Sequence, residues 1–356
     1  MDILNHRLAN QQLSAHQFSR PDALVSWLGA MQAQNYAMAK WAIGCRLTGV
    51  TETRVEKDFN EGKILRTHVL RPTWHFVSPK DIRWMLKLTA PTIKALSRGH
   101  HRALGIDSGI LKRSSKIIEK VLATAGPKTR LEIQESLLKS GIKTSDTRLG
   151  FLLMDAELDG LICSAGRKGK QFAYGLLDWI VPEYEPLKRV EAVSELAVRY
   201  FRGHGPATID DFAWWSGLPL AEIRLVLPIL KSELISVQWQ GDTYWFSKSM
   251  TASESGLKDN YFLPAFDEYF IGYKNRKNLL DSAFSRQIQT ANGIFNPIII
   301  KNGQIAGTWK RNEQKSELLI ELSPFSDSSR FLDKKLLTAI GKYYRFLGRK
   351  GEIAVL

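Results

Sequence analysis

Three times along this chain a set of helical segments is closed by a pair of short strands, and that repeat constrains the fold more than any other feature. The first set reads "RPDALVSWLGAM", "MAKWAIGCRL" and "TETRVEKDFNEGK" as helices, then "ILRTHVLRPTWHFV" as strand, turn and strand. The second has "KTRLEIQESLLKSG" and "TSDTRLGFLLMDAELDG" followed by "LICSAGRKGKQFAYGL". The third has "ELAVRYFRGHGP", "TIDDFAWWSG" and "LPLAEIRLVLPIL" followed by "LISVQWQGDTYWFS". A helical set closed by a hairpin is the winged-helix arrangement. Terminal residues support these boundaries. Thr208 stands three residues before Asp211 as a capping pair, and Thr144 or Ser145 is placed to cap the helix carrying "RLGFLLMDAEL". Gly217, with Pro219 two residues beyond, ends a helix, and the glycines of "AGRKGK" and "QGD" suit hairpin tips.

Beyond Leu257 the texture changes. "YFLPAFDEYFIGYKNR", "NPIIIKNGQIAGTWKR" and "SELLIELSPF" read as strands, with an Asn-Gly turn in "KNGQ"; "DKKLLTAIGKYYRFLG" returns to helical spacing before a last strand, "EIAVL". With 356 residues, 44% of them apolar, the chain exceeds what one core organises. The expected fold is therefore α+β and mainly helical, with three tandem winged-helix units followed by a β-rich C-terminal domain. The units span 1–93, 94–182 (with a basic helical lead-in) and 183–248, the C-terminal domain spans 257–356, and Ser247 to Gly256 is the expected linker.

Composition narrows the functional classes. Two cysteines, Cys45 and Cys163, sit in apolar segments and read as small buried hydrophobes of a reducing cytoplasm. No Cys or His cluster has metal-ligand spacing, so neither metal nor cofactor is expected. The N-terminus lacks a signal-peptide pattern and no apolar run is long enough to span a bilayer, so a cytoplasmic, nucleoid-associated monomer without membrane contact is expected. Net charge is +14. Between Lys94 and Arg130 nine basic residues, among them Arg98, Arg102, Lys112 and Arg113, face only Asp107 and Glu119, while Arg167, Lys168 and Lys170 crowd a hairpin tip. These are candidate phosphate contacts, and helix-turn-helix units carrying such an excess point to double-stranded DNA. The third unit differs: "LAEIRLVLPIL" is nearly all apolar and follows the acidic, aromatic "DDFAWWSG", so this unit reads as scaffold, with Trp214 and Trp215 both structural.

One short stretch asks for chemistry rather than packing. In "GAMQAQNYAMAKWA" two glutamines stand one residue apart between helices. On a helix they would point about 200° apart, but on an extended link both face one way. The helix "PDALVSWLGA" ends near Gly29 and Asn35 can cap the next, which leaves Gln32 to Gln34 as that link. A carboxamide has no proton affinity near neutrality, but it orients a water and offers partial negative charge. Lys40 lies on an amphipathic helix, where a solvated role is expected, and Asp267 and Glu268, as neighbours on a strand, would point oppositely and form no acid/base pair.

The phrases "LGAMQAQNYAMAKWAIGCRL", "LRPTWHFVSPKD" and "LPAFDEYFIGYKNR", in that order, resemble the AlkZ-type DNA glycosylases, a bacterial family of tandem winged helices with a C-terminal β domain. The resemblance implies excision of alkylated bases such as N7-alkylguanine and, in some members, the unhooking of interstrand crosslinks. The family's motif is Gln, an apolar residue, then Gln in one branch or Asp in another; Gln32-Ala33-Gln34 is the first form. It implies that Gln32 and Gln34 are catalytic and that the segment from Arg71 through Thr73 to His75 lines the lesion cleft. Arg71 would then meet a phosphate and His75 the sugar or base edge. Lys274 and Arg276 in "YKNR" are further candidate DNA contacts, set against a plain surface role. The rival expectation is a winged-helix transcription regulator without catalysis.

Overall fold

The computed structural model describes residues 2–145, 147–181, 185–249, 256–290, 293–313, 318–326 and 331–356. The architecture is mixed. After α1 (Ile3–Asn10), the first set runs α2 (Pro21–Leu28), β1 (Ala30–Gln32), α3 (Tyr36–Gly44), α4 (Glu52–Asn60), β2 (Leu65–His68) and β3 (Trp74–Val77). The long α5 (Ile82–Ala103) leads to the second: α6 (Ser108–Ala125), β4 (Lys128–Thr129), α7 (Arg130–Lys139), α8 (Arg148–Leu158), β5 (Ile162–Lys168) and β6 (Gln171–Leu176), closed by the single turn α9 (Leu177–Ile180). The third runs α10 (Arg189–Gly203), an isolated bridge from Ala207 to Trp245, α11 (Ile209–Ser216), α12 (Leu220–Leu230), β7 (Leu234–Trp239) and β8 (Asp242–Ser247). The order helix, short strand, helix, helix, strand, strand thus recurs three times, and each short strand pairs with the last strand of its own set.

The first two hairpins do not stand apart. Arg66 of β2 pairs with Ser164 of β5, joining them in a six-stranded sheet ordered β1-β3-β2-β5-β6-β4, which covers two edges that would otherwise be exposed. The third hairpin remains two-stranded. A second sheet, β13-β12-β11-β10-β9, follows from β9 (Tyr261–Leu263), β10 (Ile298–Lys301), β11 (Gln304–Glu313), β12 (Leu318–Pro324) and β13 (Gly351–Val355), with two short helices, α13 (Glu268–Ile271) and α14 (Ser285–Ile288), in the β9–β10 connection. Its one parallel pair, β12 with β13, needs a crossover, and α15 (Lys334–Leu347) supplies it. The glycine of "KNGQ" turns β10 into β11 with Asn302 and Gly303 both at positive φ.

Several terminal signals hold. Asn35 caps α3 through Met38 N–H, and Thr208 with Asp211 forms a full capping box. The helix carrying "RLGFLLMDAEL" starts later than expected, at Thr147, with no side-chain cap; Thr144 instead accepts from Gln134. Most of the expected linker, 250–255, lies outside the described residues. "YFLPAFDEYFIGYKNR" is not one strand: after β9 it turns at Phe266, whose φ is +59°, into the single helical turn α13.

What positions the motif is the seam between the first set and the C-terminal sheet. Trp41 of α3 packs on Tyr343 and Phe346 of α15 and donates its indole N–H to Phe262 O at 2.8 Å. Beneath it Arg46 is wholly buried and grips Asp267 with two 2.8 Å bonds, while its remaining N–H groups find Gln11 and Ala42. Such a pair, fully satisfied, costs several kcal/mol if one partner is removed. The second set keeps a core of its own, built on Ile118, Leu122, Ile133, Leu137, Leu152 and Tyr174.

Candidate active site

The motif is extended, as the spacing required. Gln32 is the last residue of β1 and sits directly opposite His75 of β3, and Ala33 continues the ladder by donating its N–H to Trp74 O at 2.7 Å. Gly29, at φ +80°, breaks α2 before the strand, and Asn35 starts α3 after it, so a three-residue strand is all that fits. Gln32 is 9% exposed, whereas Gln34 is exposed where the strand ends.

Gln32 is held at both ends. Its backbone N–H donates to Glu268 Oε1 at 2.8 Å, and its side-chain oxygen accepts from Arg71 at 3.1 Å. Arginine has donors only, so the atom facing it is the amide oxygen, and the NH2 of Gln32 is the end left for other partners. Arg71 is fixed in turn by the carbonyls of Trp215 (3.1 Å) and Trp214 (3.4 Å) at the end of α11. That helix end lies close because residue 217 is glycine: at φ +71° it terminates α11, and a Cβ there would stand 2.4 Å from Leu70 O in the hairpin turn.

Glu268 is the charged centre of this arrangement. Its second oxygen accepts from Trp215 Nε1 at 3.0 Å and faces His204 Nε2 at 3.4 Å. Burial alone would push its carboxyl up; the hydrogen bond to His204, the charge of Arg71 and the Gln32 N–H override that and hold it at about 2. His75 goes the other way. Burial, then the nearby Arg71, depress it to about 3, so its ring is neutral; Nδ1 donates to Thr73 O at 2.9 Å, and Nε2 is buried with no partner among the described residues.

The other sequence-selected residues divide sharply. Thr73 is half-buried and its hydroxyl has no partner among the described residues, while Arg71, expected on a phosphate, is committed to Gln32 and α11. Arg98, Arg102, Lys112 and Arg113 are exposed on α5 and α6, with Arg113 reaching Ser140 O at 3.0 Å. At the second hairpin tip Arg167 is bonded to Glu56 (3.1 Å) and lies over Tyr36 and Phe172; Lys168 reaches Pro127 O at 2.8 Å, and Lys170 is exposed. Lys274 pairs with Asp210 at 3.1 Å. Arg276 is half-buried over Phe270, and burial brings it down to about 10.

Four expectations change here. Lys40 is not solvated: it is buried and bonded to Glu52 (2.9 Å) and Glu56 (2.7 Å). Trp215 is fully buried as expected, but Trp214 is 46% exposed. On α12 only one face is buried, since Leu225 and Ile229 are exposed. Asp267 and Glu268 lie on a helical turn rather than a strand, with different partners: Asp267 holds Arg46, and Glu268 reaches the motif. Glu268 and His204 were missed by sequence reasoning. The available signal was two carboxylates inside the apolar run "LPAFDEYFIGY", which can be buried only if each has a partner. Among the described residues no group of three or more His, Cys, Asp or Glu is placed to hold a metal ion, and no helix is long and apolar enough to cross a membrane.

An extended Gln-Ala-Gln strand clamped between a hairpin arginine and a buried glutamate is the arrangement to compare with known proteins. The family model described as DNA glycosylase AlkZ-like matches residues 25–346. The chain belongs to the AlkZ-like DNA glycosylase family. A relative in Streptomyces sahachiroi, named an interstrand DNA cross-link repair glycosylase, is 23% identical, with 91% of this chain and 90% of that protein covered. The solved structure of the Streptomyces sahachiroi DNA glycosylase AlkZ superposes with a TM-score of 0.81 at 20% identity, covering 99% of this chain and 98% of that one. AlkZ-like membership makes this a glycosylase of DNA repair, and the likeness in structure extends through the C-terminal sheet.

Proposed function

We propose that this enzyme hydrolyses the N-glycosidic bond of cationic alkylated purines such as N7-alkylguanine in double-stranded DNA, using water and no covalent intermediate. The observation that carries the reading is the asymmetry of the two glutamines: Gln32 has its oxygen committed to Arg71, while Gln34 is exposed at the strand end. N7-alkylguanine carries a formal positive charge and leaves as a neutral base, so no strong acid is needed. The developing charge is on the sugar. Gln34 would orient the attacking water through its carboxamide oxygen and set partial negative charge near the oxocarbenium, and Gln32 would donate its NH2 to the substrate from the other side. The ionised Glu268, one hydrogen bond behind Gln32, adds negative potential in the same direction. A lysine Schiff base has poor support, since Lys40 is held by two carboxylates.

The recurring element order is read as three tandem winged-helix units over 1–93, 94–182 and 183–248, with a C-terminal domain over 257–356, acting as a monomer. Unhooking of interstrand crosslinks extends from the same chemistry, because a crosslink through N7 is a cationic N7-alkylguanine on each strand. The test is single-turnover release of N7-methylguanine from duplex DNA. Gln34→Ala is expected to slow it about a hundredfold with DNA affinity and thermal midpoint unchanged. Equal rates would remove the catalytic role of Gln34, and no release by the wild type, with tight binding to one DNA sequence instead, would establish the regulator.

A further inference from the structure

Where α15 packs against the first helical set, a groove of about 330 Å³ lies outside the arrangement around the glutamines. Its floor is apolar, with Leu13, Trp41 and Phe262, and its rim is basic. Lys335, Lys342 and Arg345 occupy positions i, i+7 and i+10 of α15, which puts all three within an arc of about 80° on one helix face. Between them stand the short Thr338 and Ala339, so the long side chains border a trough. His16, from the turn after α1, lines the same groove, its Nδ1 donating to Arg46 O at 2.9 Å.

The positive charge here is unanswered. Among the described lining residues Asp259 is the one carboxylate, and none of the three cations has an ion-pair partner among the described residues. Lys342, half-buried, commits one N–H to Cys45 O at 2.8 Å, and exposed Lys335 commits one to Lys258 O. Each ammonium keeps two further donors. The guanidinium of exposed Arg345 has no acceptor among the described residues. Neighbouring groups register this potential. Burial, then the charges of Arg46 and Arg345, hold Lys342 below the ordinary lysine range, and burial with the charge of Lys342 lowers His16 although Asp259 pulls the other way. Arg46, behind the groove, is already neutralised by Asp267, so the missing counter-charge belongs to the groove itself.

We propose that this groove binds a phosphate group, seated between Lys342 and Arg345 with Lys335 at the far end of the trough. Ammonium and guanidinium donors on one helix face suit an anion with several acceptor oxygens. The groove is larger than a bare phosphate ion, and its apolar floor accommodates a sugar or base attached to the phosphate. The phosphate has two sources, the DNA backbone or a free phosphate compound, and both offer the same chemistry. The backbone is within reach. Asn35, next to Gln34, caps the start of α3 and Cys45 caps its end, so the length of that helix, about 15 Å, separates the motif from the groove, which is the axial rise of about four nucleotides of one strand. The inference does not depend on which bond is broken at the glutamines.

The test follows the His16 ring by NMR in the full chain at fixed ionic strength, its signals assigned by their loss in His16→Gln. Inorganic phosphate is expected to shift the His16 ring signal saturably, and chloride is not. Arg345→Glu and, separately, Lys335→Glu, both at exposed positions, should weaken phosphate binding about fivefold or more with the thermal midpoint unchanged. Undamaged duplex then separates the sources. A backbone phosphate predicts that duplex shifts His16 as phosphate does, and that Arg345→Glu lowers duplex affinity about threefold or more and flattens its log-log salt slope by about 1. A free phosphate compound predicts that duplex leaves His16 unmoved and binds Arg345→Glu as it binds the wild type. A His16 signal unmoved by both phosphate and duplex, or moved alike in the wild type and the two charge reversals, overturns the site. Base release is read in neither arm, so loss of the site leaves the glycosylase reading intact, and failure of base release leaves the site standing.

Discussion

At the scale of single residues, the two glutamines are equivalent in sequence and unequal in surroundings, which makes their substitutions diverge. Gln34→Asp is expected to retain activity, because a carboxylate accepts from water at least as well as an amide. Gln32→Glu keeps the acceptor for Arg71 but removes the NH2 donor and sets a second negative charge beside the ionised Glu268. It should retain less than a tenth of wild-type single-turnover release; activity equal to that of Gln34→Asp would show that the amide orientation at Gln32 has no catalytic consequence. His75 predicts a pH effect on stability. Its folded pKa of about 3 lies below the ordinary 6.5, so below pH 6.5 the unfolded chain takes up a proton that the folded chain refuses. Stability from this group is complete above pH 6.5 and lost as pH falls toward 3, by as much as about 1.4 kcal/mol per pH unit. Between pH 6.5 and 5 the wild type should therefore lose about 2 kcal/mol more than His75→Leu, read as a steeper fall of the thermal midpoint. Parallel pH profiles would mean that His75 is solvated.

Elements, more than residues, decide what the sequence can disclose. The extended Gln-Ala-Gln link was legible because its neighbours are local: Gly29 stops one helix, Asn35 starts the next, and period-2 spacing does the rest. The helical sets and their hairpins were legible for the same reason. Illegible were the partners brought from far along the chain. Glu268 meets Gln32 across 236 residues, and Arg46 meets Asp267 across 221, and no local periodicity encodes such pairs. The same limit made one strand of "FDEYFIGYKNR", where a positive φ at Phe266 starts a helical turn, and hid the joining of two hairpins through a single register pair. Helix α11 illustrates both sides. Its capping box and its glycine stop were readable, yet only the fold separates Trp215, buried and bonded to Glu268, from the half-exposed Trp214. Trp215→Ala should cost about 3–5 kcal/mol and also lower base release, since it empties a core site and takes a donor from Glu268. Trp214→Ala should cost under about 1 kcal/mol, as expected for a half-exposed side chain. Equal losses of thermal midpoint in the two variants would contradict this division.

For the molecule as a whole, charge predicts how DNA is held. Fifty basic residues against thirty-six acidic ones leave +14, but the structure withdraws part of that excess from the surface. Lys94 is bonded to Asp155 and Asp159, Lys128 to Glu132, Arg167 to Glu56, and Lys40 and Arg46 are buried with acidic partners. What remains exposed on the α5–α6 face is Arg98, Arg102, Lys112, Arg113, Lys116 and Lys120, with Lys170 on the second hairpin tip. Lys87 of α5 is exposed too, and not all of these eight cations can meet phosphates at once. About five phosphate contacts release about 4.5 counterions, so affinity for undamaged duplex should fall with salt at a log-log slope near −4.5, independent of sequence. Reversing two of these charges, Arg98→Glu with Lys112→Glu, should flatten the slope by about 2 and weaken binding to every duplex alike, while single-turnover release at saturating enzyme stays near wild type, because neither residue borders the glutamines. A slope near zero in the wild type would mean that the basic face is not the DNA surface, and a slope unmoved by the double change would place the contacts on another face of the protein.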